Sequence, residues 1–222
     1  MKTTTRIHLA TLALAGLGSL FTLATPALAG PVLTGGTETN GGAVTANFMQ
    51  GYDFVSTTNQ SLTALGFWDS ASNGLAAAYQ VGLWATATQT LLASATLDSA
   101  DPLDGSLTVN GGQWRYETLG AAIPLASGTL YTLAWQVGPV DQTGVDTFLI
   151  SYPTLTVAPT VTVGNVLRFQ STASFTFPTG TAGAGGFFRG NVNALIVPEP
   201  GTGLLLAGGA LGLLLRRRRP QA

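Results

Sequence analysis

Tyr79-Gln80-Val81-Gly82-Leu83-Trp84 alternates along its length. On an extended chain Val81 and Leu83 share one face, and Gln80, Gly82 and Trp84 share the other. Thr132-Leu133-Ala134-Trp135-Gln136-Val137 keeps the same beat, with Trp135 aligned with Leu133 and Val137 on the buried side. Further short runs of this kind predict strands at Asn47–Val55, Ser61–Trp68, Tyr79–Ala85, Thr90–Leu97, Gln113–Leu119, Thr129–Val137, Thr147–Tyr152, Val161–Phe169 and Asn191–Val197. Gly, Asn, Asp and Pro punctuate them, and no stretch between the termini sustains a 3.6-residue apolar period. Many short strands without helices predict an all-β fold, an antiparallel β-sandwich of jelly-roll type, across residues 30–197. Thr179–Gly190, rich in glycine, reads as a loop or hairpin tip. No internal repeat and no second domain is evident.

Of 222 residues only 9% are charged, against about 25% in an ordinary globular domain. Six of the nine positive charges lie at the ends: Lys2, Arg6 and Arg216 to Arg219. Between them, Arg115, Arg168 and Arg189 face ten carboxylates, a formal charge of −7. So acidic a body repels phosphate backbones, and nucleic acid is not an expected partner. The single histidine is His8 and there is no cysteine. Ser-His-Asp and Cys-His chemistry, thiolate or imidazole metal sites and disulfides are thereby excluded from the body.

Both ends read as addresses. Residues 1–29 combine a basic start at Lys2 and Arg6, an apolar run from Ile7 to Leu23, and Ala27-Leu28-Ala29. Those are the three parts of a secretory signal peptide, which signal peptidase and the secretion machinery would process after Ala29. At the other end, Val197-Pro198-Glu199-Pro200 precedes 15 uncharged residues, Gly201–Leu215, and then Arg216, Arg217, Arg218 and Arg219. As a helix the apolar run spans roughly 22 Å, short of a hydrocarbon core of about 30 Å. Snorkelling arginines and a thinned bilayer make it a weak transmembrane anchor, with the arginines on the cytoplasmic side.

Pro-Glu-Pro, a short apolar helix and a terminal arginine cluster, in that order, resemble the PEP-CTERM sorting signal from Val197 to Arg219, with the signal itself at 198–219. The resemblance implies recognition by a membrane sorting enzyme of the exosortase type. It further implies an inner-membrane-anchored precursor and a final place on the cell surface or in the extracellular matrix of a polysaccharide-producing Gram-negative bacterium. A second resemblance runs through Leu62-Thr-Ala-Leu-Gly-Phe-Trp-Asp69, Tyr79-Gln-Val-Gly-Leu-Trp84, Leu91-Leu-Ala-Ser-Ala-Thr96, Gln113-Trp-Arg-Tyr116 and Ile123-Pro-Leu-Ala-Ser-Gly-Thr-Leu-Tyr131. This is similar to an uncharacterised domain family of exported bacterial proteins, from about Gly51 to Val137. It implies a surface location and supplies no activity.

Within the body, Trp84 and Trp68 are the candidates for stacking on sugar rings. Trp84 leads, since it shares its strand face with Gln80; the plainer reading for every tryptophan is core packing. Asp98, Asp101 and Asp104 sit in one loop and could offer oxygens to Ca²⁺. Their spacing is not that of an EF-hand, and Asp, Pro and Gly also make ordinary turns. Asp53, Asp69 and Glu117 are the acids near strand bodies, and no pair of them is placed in one cleft by the sequence. The expectation is a non-catalytic structural or adhesive surface protein without a cofactor. The alternative is a module that binds extracellular polysaccharide.

Overall fold

In this computed structural model the described residues are 29–40, 47–109, 111–137, 148–183 and 191–199. Thirteen strands account for most of them, all pairing antiparallel, with one 3-10 turn at Ser70–Ser72. Residues 1–28 of the signal segment, Pro200, the C-terminal apolar run and Arg216 to Arg219 lie outside the described residues. Among the described residues no helix is long and apolar enough to cross a membrane.

One sheet orders β1 (Gly30–Pro31), β13 (Val192–Pro198), β4 (Gln60–Asp69), β8 (Gly112–Leu125) and β7 (Leu103–Val109). A second orders β12 (Gly180–Gly183), β11 (Val161–Ser171), β3 (Phe48–Ser56), β9 (Leu130–Val137), β5 (Tyr79–Ala85) and β6 (Thr90–Leu97). A separate pair joins β2 (Leu33–Asn40) to β10 (Phe148–Val157). Of the expected runs, Tyr79–Ala85 and Thr90–Leu97 are strands over those same residues. Four strands fall outside the expected runs: β1, β2, β7 and β12. Part of the expected 179–190 loop is therefore strand, with Gly180–Gly183 paired to β11.

The inner faces of the two large sheets meet in one apolar core. Leu62, Leu65, Phe67 and Val192 from the first sheet share it with Phe54, Val81, Leu83, Leu133 and Trp135 from the second. Alternation dictates this division, because Val81 and Leu83 turn inward while Trp84 turns out. Phe67 stacks on Tyr79 at 4.1 Å between ring centroids, and Trp135 meets Phe67 edge-on at 4.9 Å. Burying such rings contributes about 2 to 3 kcal/mol each from apolar area.

Where the chain leaves β1 for β2 it needs new partners for its backbone. Val32 N–H donates to the Ala194 carbonyl, and Ala158 N–H donates to the Val32 carbonyl. Asn193 serves the next residue. Its Oδ1 accepts from Leu33 N–H at 2.9 Å, and its Nδ2 donates to the Leu33 carbonyl at 2.9 Å. One buried amide side chain thus does what a neighbouring strand would otherwise do. Asn193→Ala leaves both Leu33 groups buried and unpaired, so it should lower stability by about 2 to 4 kcal/mol. Urea unfolding reads this as a lower midpoint with an unchanged slope.

Candidate functional site

The start of the C-terminal signal is part of the sheet. Val197 pairs with Ser61 and Pro198 with Gln60, on the last two registers of β13 against β4. The β1 pairing stops earlier, at Gly30 opposite Ile196. Pro198 therefore interrupts no ladder on that side. Beyond it, Glu199 N–H donates to the Asn59 carbonyl at 3.2 Å, and Ser61 Oγ donates to Glu199 Oε1 at 3.5 Å. No linker separates the body from Pro198 and Glu199.

The loops at this end are tied to one another. Gln60 Nε2 donates to Ser56 Oγ at 2.6 Å and to the Thr160 carbonyl at 3.0 Å, while Thr160 Oγ1 donates to Gln60 Oε1 at 2.9 Å. Ser127 N–H donates to Asn59 Oδ1 at 2.9 Å. Beside Glu199 these loops leave a shallow cavity of about 270 Å³, lined also by Asn59, Pro124, Leu125, Ala126 and Tyr131.

Neither tryptophan offered for sugar stacking presents a face to solvent. Trp68 is wholly buried in the core and packs edge-on to Trp114 at 5.0 Å. Trp84 does point away from the main core, yet it is only 2% exposed. Phe175 and Phe177 lie over it at centroid distances of 5.2 and 6.5 Å, and Met49 and Ala134 complete a second small core. The Trp84 ring itself leans over Gly82, where a Cβ would stand 2.6 Å from Trp84 Cη2 and 2.7 Å from Phe175 Cζ. The stacking expectation for Trp68 and Trp84 is corrected by this packing: the outer face of β5 is roofed by residues 172–179.

The strand acids are held by arginines. Asp53, 3% exposed, takes Arg168 Nε at 2.9 Å and Nη2 at 2.6 Å, and Thr132 Oγ1 donates to it at 2.7 Å. Arg168 also lies 5.5 Å from the centre of the Phe177 ring. Asp69, fully buried, takes Arg115 Nε at 2.7 Å and the Gly74 N–H at 3.1 Å. These are buried or half-buried ion pairs with further hydrogen bonds; both bonds to Asp69 end on Oδ2, and its buried Oδ1 takes none.

Arg115 also accounts for the acidic loop. Its Nη1 donates to the carbonyls of Ser99, at 3.0 Å, and Asp101. Those inward carbonyls would be obvious ligands for a cation, and a guanidinium already occupies them. Asp98 Oδ1 accepts from Ala100 N–H and Asp101 Oδ2 from Asp98 N–H, both at 2.7 Å. Asp104 stands apart on β7, opposite Trp114. The Ca²⁺ candidate at Asp98, Asp101 and Asp104 is corrected accordingly: two of the carboxylates cap backbone groups of their own turn. Among the described residues no set of three acids is placed to hold a metal ion.

A family model described as the PEP-CTERM protein-sorting motif matches residues 197–219. The chain carries that motif, which marks an exported protein with a membrane-anchored precursor processed by an exosortase. The match does not reach residues 51–137, and the body's likeness to an uncharacterised family has no support in it. No curated protein matches the chain.

Two outcomes follow from the Arg115 turn. Arg115→Ala strips Asp69 of its partner and should cost about 3 to 5 kcal/mol, as for other buried pairs broken on one side. Added Ca²⁺ should not restore the loss in a thermal melt. Nearby, a hydrogen bond to Asp101, then the charges of Asp101 and Asp98, raise the Glu117 pKa above its ordinary value. The native state therefore holds this proton more tightly than the unfolded chain. The resulting stability is fully present below the unfolded pKa and is lost as pH rises through the folded one. Glu117→Gln should raise the melting temperature at pH 7 relative to the parent, and the gain should vanish in acid below the ordinary Glu range.

Proposed function

We propose that the body is a jelly-roll sandwich acting as a structural or adhesive, non-catalytic unit at the cell surface or in the extracellular matrix. The topology supports the fold. The eight strands β1, β3, β4, β5, β6, β8, β9 and β13, counted 1 to 8, run 1-8-3-6 in one sheet and 2-7-4-5 in the other. Such alternation between two sheets is the double Greek key. Strands β10 to β12 are an insertion before the last of them, β2 pairs with β10 apart from both sheets, and β7 is an addition at an edge.

The observation that carries the functional reading is the inward commitment of the groups that chemistry or sugar stacking would use. Asp53 and Asp69 are neutralised by Arg168 and Arg115, and Trp68 and Trp84 are covered. What the molecule offers its surroundings is a compact body fused without a linker to a sorting signal. An export address, a surface destination and polysaccharide as a neighbour fit such a unit.

Deleting residues 201–222 in a host that has the sorting enzyme should move the body from the cell surface into the medium, read by blotting of the two fractions. Unchanged surface retention would remove the sorting step from this reading. Purified chain should bind no sugar on a glycan array. Saturable binding by the folded chain would replace the structural role with a polysaccharide-binding one.

A further inference from the structure

We propose that β6 is an assembly edge, pairing antiparallel with β6 of a second copy of this chain. The two large sheets end, among the described strands, at β1, β7, β12 and β6. A bare edge is a template for any other strand, and proteins ordinarily blunt it. Strand β1 is two residues long and contains Pro31. Strand β7 carries Asp104 and Gly105, and its register with β8 breaks between Asp104 and Val109. Strand β12 has four residues. β6 shares with β7 a single register break, near its start, and has none of the other guards. Its eight residues, Thr-Leu-Leu-Ala-Ser-Ala-Thr-Leu, include no charge and no proline, and Thr90, Leu91, Ser94 and Thr96 are exposed, with Leu91 at 44%.

The strand also fits itself. A bulge opposite Leu83 and Trp84 leaves Ala93–Leu97 as the regular stretch, with Ala93, Ala95 and Leu97 on the core side. A two-fold axis perpendicular to the sheet keeps core face with core face. Placed at Ala95, it sets Ala93 against Leu97 on the inner side and Ser94 against Thr96 on the outer side. Each pair is small against apolar or hydroxyl against hydroxyl, which antiparallel neighbours favour. In a body of formal charge −7, an uncharged strand is also where a second copy meets least repulsion. The result is a single twelve-stranded sheet running through two bodies.

The same symmetry fixes where the tails go. Strand β5 ends and β6 begins at the end of the body that carries Glu199, since Ala85 pairs with Thr90 and Thr86 N–H reaches the Leu130 carbonyl. The two-fold reverses strand direction, so the tails of a pair leave from opposite ends. Two precursors held in one bilayer cannot pair in this way, whereas released bodies can. This last step, unlike the pairing, rests on the sorting reading above.

The full chain in detergent at about 100 µM should sediment as a two-chain species. Ser94→Lys puts like charges beside the axis and should weaken the association about tenfold or more. Ala122→Lys, on exposed β8, should leave it unchanged, and both variants should melt like the parent. A single-chain mass for the parent, or equal behaviour of the two lysine variants, would overturn the pairing. Because the chain has no cysteine, Ser94→Cys/Thr96→Cys gives an independent readout: oxidation should link two chains in detergent. The same variant inserted in vesicles should stay unlinked. Linking in both would leave the edge in place and overturn only the anchored-tail step.

Discussion

Phe67 and Tyr79 are stacked face to face across the gap between the sheets, with Trp135 standing edge-on to both. Each ring comes from a different strand, β4, β5 and β9, and together they fix the spacing of the layers. Rings at 4.1 Å allow no slippage by one residue, because a slip would turn every side chain of the strand to the other face. The inward set of Val81 and Leu83 and the outward turn of Trp84 go with that contact, by parity with Tyr79 on the same strand. In a chain without cysteine, this packing takes the place that a disulfide holds in many small exported domains.

On the far side of the second sheet, a different kind of contact is at work. Asp53 and Arg168 come from paired strands β3 and β11, and Arg168 in turn lies against Phe177. Charge, ring and roof are therefore coupled: the ion pair is shielded by the same segment that covers Trp84. Such a pair gains little in water and more when sheltered, at the cost of desolvating both groups. A weaker roof would expose an aromatic face and an ion pair together.

The sequence shows the strands that alternate and hides those that do not. β5 and β6 are legible to the residue, because apolar and small side chains alternate there. β7 is hidden by Asp104-Gly105, which spells a turn in isolation and is a strand only because β8 lies beside it. β2 is hidden by Gly35-Gly36 and by its polar residues. The fate of Trp84 divides in the same manner. Its strand face is set by parity and is readable; its exposure is set by Phe175 and Phe177, some ninety positions on, and is not. Likewise, nothing local ties Asp53 to Arg168 or Asn193 to Leu33. At the C-terminus, by contrast, the signal is linear, with proline, apolar run and arginines in fixed order, so reading it needs no fold.

The position of β13 has a bearing on the timing of folding. It is the last strand of the body to be synthesised, yet it lies between β1, the first, and β4. Gly30 must wait for Ile196, and Leu33 must wait for Asn193, across some 160 residues of intervening chain. Contacts that span so much sequence close last and slowly. Until then, one flank of β4 is unoccupied and the first sheet is in two pieces. A chain emerging vectorially from a ribosome or a translocation pore therefore stays unfinished, and pliable enough to be threaded, until the residues just ahead of the sorting signal have come through.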